Sequence, residues 1–275
     1  MINILLSTYN GEKYLSEQID SILNQTYLDC KLIIRDDGST DRTNLIIDEY
    51  CQKYKNKIVK LSDNLGNLGV IRSFELLLEQ SDAEYFMFCD QDDVWLPHKI
   101  ENSILKMKET EKEFSGLPIV VCSDLIVVDS NLKTISNSFW SHCRIAPQHL
   151  QTAQYMAVNN YAAGCTMFFN KQAKQISLPF GQHTTMHDAW IVIKTLANGG
   201  KIITLPQPQI LYRQHGKNQI GASEIKYDFK YFSEKVTRMS YFLKNNYLNY
   251  KQAHEILGTS CAAFFVRRFI YILKR

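Results

Sequence analysis

Short apolar runs alternate with helix-period patterns through the first hundred residues. Ile2–Leu6 reads as a buried strand, and Leu15, Ile19, Ile22 and Leu23 then recur on one helical face. Lys31–Arg35 reads as a second strand. Asp41–Tyr54 opens on an acidic N-cap candidate and carries Leu45, Ile46, Tyr50 and Cys51, as a helix would. Ile58–Leu61 is a third strand, and Val70, Phe74, Leu77 and Leu78 mark a third helix. Tyr85–Cys89 is a fourth strand, apolar on both faces. Strand–helix alternation predicts a mainly parallel sheet with right-handed crossovers. Ligands of such sheets bind beyond the carboxyl ends of the strands.

The second half is less regular. Ile119–Val128 reads as one or two strands, and Tyr161–Phe169 as another, interrupted by Gly164. Asp188–Ala197 reads as a helix stopped by Gly199-Gly200. Ile202–Leu205 and Gln209–Tyr212 are short strands near prolines, and helices are expected from about Glu224 onward. No internal repeat or low-complexity linker separates the halves, so they are expected to pack as one body.

Composition changes this picture little, but charge changes it. The formal net charge is +3, yet residues 224–275 hold ten Lys/Arg against four Asp/Glu, leaving −3 for the rest. The basic character belongs to the tail and not to the strand ends; no nucleic-acid partner is expected. Seven cysteines, without a Cys-x-x-Cys pair and mostly within apolar runs, fit reduced core thiols of a cytoplasmic protein better than disulfides or a zinc site. The first residues read as a strand and not as a signal peptide. No run of 18 or more apolar residues is present to span a membrane as a helix.

Three polar clusters follow strands. Ser7-Thr8-Tyr9-Asn10-Gly11-Glu12 ends a strand and opens a helix. Hydroxyls, an amide and backbone N–H groups there suit a nucleotide or diphosphate, and equally a plain capping loop. In Asp36-Asp37-Gly38-Ser39-Thr40-Asp41, Asp41 can cap the next helix, whereas adjacent carboxylates otherwise repel. Asp37 then needs another role, such as accepting from a base N–H. In Cys89-Asp90-Gln91-Asp92-Asp93-Val94-Trp95, three aspartates in four residues follow a hydrophobic strand. That pattern is unfavourable without a cation, and hard divalent ions take carboxylate oxygens alongside substrate phosphates. A solvated acidic turn is the bland alternative.

Together the clusters resemble family 2 glycosyltransferases of the GT-A fold. The stretches that carry the resemblance are LLSTYNGEKYL, IIRDDGSTDRT and FMFCDQDDVW, the last with a DxD motif at Asp90-Gln91-Asp92. It continues more thinly through Ala162–Gly164, Met186-His187-Asp188 and Tyr212-Arg213-Gln214-His215. The resemblance implies an α/β fold: a Rossmann-like nucleotide-sugar-binding half (1–115) whose sheet continues into a mixed acceptor-binding half (116–223). A basic helical extension (224–275) follows.

The implied roles are specific. Thr8, Tyr9, Asn10 and Glu12 would line the nucleoside pocket, Asp37 would read the base, and Arg72 would touch the donor. Asp90 and Gln91 would hold ribose and diphosphate. Asp92 and His215 would ligate a divalent metal, Mn²⁺ or Mg²⁺, which stabilises the charge of a departing nucleoside diphosphate. Asp188 would be the base that takes the acceptor hydroxyl's proton; a helix N-cap is the other role its position allows. The family usually has Glu-Asp where this chain has His187-Asp188, which leaves the base in place. Trp95, Gly164 and His187 would face the acceptor. One carboxylate base without a nucleophilic partner fits inversion.

His187-Asp188-Ala189-Trp190, DQDDVW and the Tyr-Arg-Gln-His stretch look like the rhamnosyltransferase-like branch. That implies dTDP-L-rhamnose as donor, a UDP-hexose or UDP-HexNAc being the alternative. The acceptor would be a growing surface polysaccharide or a lipid-linked oligosaccharide. The last residues mix apolar and basic side chains, suited either to peripheral contact with the cytoplasmic face of an anionic membrane or to a final helix packed on the body. A nucleotidyltransferase would show a Gly-rich basic loop after the first strand, and a dehydrogenase a Gly-x-Gly-x-x-Gly; neither occurs. A non-catalytic sugar-nucleotide-binding protein is the alternative from another class.

Overall fold

The computed structural model describes residues 1–215 and 239–275. Its first half runs β1 (Ile2–Thr8), α1 (Leu15–Leu23), β2 (Cys30–Asp36), α2 (Thr43–Lys53), β3 (Ile58–Lys60), α3 (Gly69–Glu79), β4 (Tyr85–Cys89), β5 (Val94–Trp95) and α4 (Lys99–Glu113). Then come β6 (Ile119–Cys122), β7 (Ile126–Val128), β8 (Thr134–Ser136), α5 (Phe139–His142), α6 (Ala153–Met156), β9 (Phe168–Asn170), α7 (Lys171–Ser177), α8 (His187–Ala197), β10 (Lys201–Thr204) and β11 (Ile210–Arg213). The described tail is α9 (Met239–Leu257) and α10 (Cys261–Lys274).

Among the described residues a seven-stranded sheet runs β10-β6-β9-β4-β1-β2-β3. It is parallel except at β9, which is antiparallel to both β4 and β6. A second sheet, β5-β11-β7-β8, lies across the carboxyl ends. Side-chain alternation divides the core into two layers. Phe86 and Phe88 join Phe74, Leu77, Trp190 and Tyr271 on one face, while Met87 and Cys89 join Leu15, Ile34, Ile100 and Met107 on the other. Each layer covers one side of β4, which is why that strand carries no polar residue.

Parts of the fold depart from the sequence reading. Tyr161–Phe169 is not a strand: Gly164–Thr166 forms a 3-10 turn, with Thr166 N and Oγ1 both donating to Ala163 O, and extended structure starts only at Phe168. Helix α4 went unanticipated because its apolar stripe, Ile100, Ile104 and Met107, is sparse among Lys and Glu. Across 115/116 the sheet is continuous, as the resemblance implies, with β9 joining β4 of the first half to β6 of the second. The expected boundary at 223/224 lies outside the described residues.

Candidate active site

The carboxyl ends of β1, β2 and β4 open onto a cavity of about 900 Å³. Its wall includes Thr8, Tyr9, Asn10, Asp37, Asp90, Gln91, Asp92, Gly164, His187, Asp188 and His215. Eleven residues expected at the site therefore share one cavity.

The β1 and β2 ends are interlocked by hydrogen bonds. Asn10, held at φ +50°, accepts from Thr40 N through Oδ1 (2.9 Å) and donates its own N–H to Ser39 Oγ (2.8 Å). Tyr9 N donates to Gln91 Oε1 (2.8 Å), and Gln91 Nε2 donates back to Tyr9 O (3.1 Å). A side chain on Gly11 would collide with that Gln91 amide, which explains the glycine. Thr8 Oγ1 donates to Asp36 Oδ1 (3.0 Å). Asp37 accepts from Arg35 Nη1 (2.5 Å), Leu68 N (2.7 Å) and Gly69 N (2.9 Å), which ties β2 to the start of α3. Arg35 is fully buried and also bridges to Asp63 (2.8 Å) and Ser73 (2.7 Å). The sequence reading missed this arginine, because it looks like an interruption of the strand.

The opposite wall carries the DQDD loop and the start of α8. Asp92 Oδ2 lies 2.6 Å from His215 Nε2, although 123 residues separate them. Arg213 delivers that histidine: its N–H donates to Asp93 Oδ1 (3.1 Å), its Nε to Asp92 O (2.8 Å), its Nη1 to Ser130 O (2.9 Å) and its Nη2 to Glu17. Burial, with the Asp92 and Asp188 charges added, pushes the Asp90 carboxyl up to about 7. Asp93 Oδ2 is buried without a hydrogen-bond partner.

Asp188 sits in the first turn of α8. Its Oδ2 accepts from Gly164 N (2.9 Å), its Oδ1 accepts from Ala189 N (2.5 Å), and burial pushes its pKa up to about 6. The N-terminal helical position and the cavity position thus coincide. His187 packs between the rings of Phe74 and Phe88, at centroid separations of 4.2 and 4.7 Å. Both its ring nitrogens lack partners, and burial pushes its pKa down to about 3, so the imidazole is neutral. Gly164 is required here for space: a Cβ would sit 2.5 Å from His187 Nε2.

A family model described as "Glycosyl transferase family 2" matches residues 3–176, a span that takes in both walls except α8 and His215. The chain belongs to glycosyl transferase family 2. This family member is 27% identical over 257 residues to the dTDP-rhamnosyl transferase RfbG of Shigella flexneri, covering 87% of the chain and 81% of the relative. It spans about two thirds of the length of other curated relatives that it matches. Its GT-A fold is that of S. aureus TarS 1-349 in complex with UDP-GlcNAc (TM-score 0.63, 17% identity, 98% of this chain and 71% of that one). It is also that of the mannosyltransferase PcManGT from Pyrobaculum calidifontis in complex with GDP-Man and Mn²⁺ (TM-score 0.59, 14% identity, 100% and 80%).

Three residues expected at the site of this glycosyltransferase-family chain lie elsewhere. Glu12 leaves the cavity: its carboxylate accepts from Arg42 N (3.0 Å) and clips the β1 loop to the start of α2. Arg72 turns back along α3 to Glu75 (2.5 Å) and Glu79 (3.7 Å). Trp95 is only 2% exposed and packs in the core, with Lys99 Nζ 4.5 Å from its ring centroid. Strand alternation at β5 sends Trp95 inward, away from the cavity wall.

Proposed function

We propose that this protein transfers a sugar, with inversion, from a nucleotide-diphosphate donor to an acceptor hydroxyl, with Asp188 as the base. The observation that carries this reading is that Asp188 shares one cavity with the interlocked β1 and β2 loops and with the Asp92–His215 pair. The loops offer a nucleoside site, the pair a metal site, and Asp188 a proton acceptor, all around a single cavity.

The donor atoms at Asp92 and His215 suit a divalent cation: one carboxylate oxygen and one imidazole nitrogen, already adjacent, beside a crowded set of aspartates. Mn²⁺ or Mg²⁺ bound there supplies Lewis-acid charge to the diphosphate oxygens of the donor. The Tyr9–Gln91 pair ties the β1 loop to the DQDD loop, beside which the donor's diphosphate would sit. Gly164 N–H and Ala189 N–H orient the Asp188 carboxylate, and its pKa of about 6 keeps it mostly ionised at neutral pH while basic enough to take a proton. His187, neutral and apolar-packed, shapes the wall next to that base.

The dTDP-L-rhamnose reading is supported by the name of RfbG and by the His187-Asp188-Ala189-Trp190 stretch. A growing surface polysaccharide or lipid-linked oligosaccharide is the acceptor class, met at the cytoplasmic face of the membrane. Thermal shift and donor hydrolysis with Mn²⁺ across dTDP-, UDP-, GDP- and CMP-sugars test this. The largest response is expected from dTDP-rhamnose, with a UDP-sugar the alternative; a preference for GDP- or CMP-sugars overturns the pocket. Asp188→Asn is expected to lower turnover by about 10²–10⁴ while calorimetric donor affinity holds. Unchanged turnover removes Asp188 as the base and leaves a binding protein as the better reading.

A further inference from the structure

Helix α10 has two unlike faces. One is packed on the body: Phe264 and Tyr271 are buried, and Tyr271 Oη accepts from Ala146 N (3.2 Å) and Asn159 Nδ2 (3.1 Å). Arg268 on the same side donates to Val158 O. The other face is bare. Val266, Phe269 and Leu273 are 56%, 62% and 69% exposed, and Phe265 and Ile272 join them at 36% and 38%. At about 100° per residue these five side chains occupy an arc of about 120°. Single exposed apolar residues are ordinary, but a continuous helical stripe of five is an interaction surface.

The charge on this element has one sign. Residues 261–275 contain Arg267, Arg268, Lys274 and Arg275 and no Asp or Glu. The preceding α9 adds Lys244 and Lys251, and its single acid, Glu255, is engaged with the body through Gln182 N (3.1 Å) and His183 N (2.9 Å). It too exposes apolar side chains, Leu243, Tyr247 and Leu248.

We propose that α10 docks the protein onto an anionic bilayer, the Phe265–Leu273 stripe entering the interface while Arg267 and Lys274 meet lipid phosphates. The helix has 14 residues, against about 20 for a span, and lies at 117° to α9, so it rests in the interface plane. A second copy is the poorer occupant. A two-fold contact through this stripe would bring together two helices of the same charge sign, with no acidic residue on either to offset it. An anionic lipid surface supplies the missing complement. This inference stands on the exposed face alone and does not depend on the donor.

Vesicle flotation of the full chain tests it, with phosphatidylcholine vesicles with and without phosphatidylglycerol. Co-flotation is expected only with the anionic vesicles and is expected to weaken as salt rises. Phe265→Ser/Phe269→Ser/Leu273→Ser should abolish it. Arg267→Gln and Lys274→Gln should each lower the partition about fivefold, the change that about 1 kcal/mol per basic side chain corresponds to. Those two substitutions leave the packed Phe264, Arg268 and Tyr271 in place, so they decide the matter even if the triple variant folds poorly; thermal midpoint and nucleotide-sugar binding serve as controls. Absence of flotation, equal flotation with both vesicle types, insensitivity to both rim substitutions, or a Phe269-dependent dimer in sedimentation velocity without vesicle binding would each overturn the proposal.

Discussion

The two walls of the cavity treat their acidic residues in opposite ways. On the β2 wall every carboxylate is well supplied with donors. Burial pushes the Asp36 carboxyl up, but hydrogen bonds from Ser39, Asn44 and Thr8 outweigh it and hold the group below the usual carboxylate range. Asp41 is held low in the same way by Thr43 and Glu12 N. On the DQDD–α8 wall burial prevails. Asp90 and Asp188 are pushed up to about 7 and about 6, and Asp93 Oδ2 and both nitrogens of His187 have no partner. Buried polar groups left unsatisfied are costly to a fold and mark places built for something else. The β2 wall is a scaffold, and the facing wall is where ligand chemistry would occur.

The largest expected effect comes from cutting into the second wall. Asp92→Ala should lower metal-dependent turnover by about 10²–10³, with a matching loss of Mn²⁺-dependent donor binding by calorimetry. Gly164→Ala comes next. Its Cβ would meet His187 and displace the N–H that holds Asp188, so overpacking should cost about 1–3 kcal/mol and turnover should fall about tenfold or more. Thermal melts and steady-state kinetics read the two losses separately, and unchanged turnover would show that the Gly164 N–H does not orient the base. A milder probe is pH. The base acts when ionised, so turnover should rise with pH through about 6 and then level, and that limb should vanish in Asp188→Asn.

The smallest effects are expected on the first wall's outer clips. Arg72→Ala should leave donor affinity within about twofold, because Arg72 is half-exposed and lines no part of the cavity. Glu12→Ala should likewise spare donor affinity, since it removes only a contact to Arg42 N. A tenfold weaker donor constant in either variant would erase the distinction drawn between the walls.

Much of this was legible in the sequence, for identifiable reasons. Strands β1 and β4 declare themselves because both their faces are buried, β2 by its short apolar run, and the polar clusters follow all three directly. Asp92 and His215 were paired through their motifs, and the second sheet brings them into contact. What stayed hidden depends on direction. Glu12 sits one residue and Trp95 three residues from cavity positions, yet a loop clip and strand alternation turn them away, and neither follows from residue type. Arg213 is a buried cation whose partners lie far along the chain, and Arg35, though it meets Asp37 two residues on, takes Asp63 and Ser73 from farther away, so spacing gives little hint of either site. Helix α4 was lost because its surface is so rich in Lys and Glu that its three core contacts do not stand out.

The pairing of β11 with β5 sets Ile210 opposite Trp95 and Leu211 opposite Val94. Arg213 then pins the strand's end to Glu17, Ser130 and the Asp92 carbonyl. Closing a separation of 123 residues between Asp92 and His215 is therefore an entropic cost met once, when the chain folds. An ion taken at this edge, as proposed, would meet both side chains already adjacent, while Trp95 pairs through its backbone with Ile210 beside that closure.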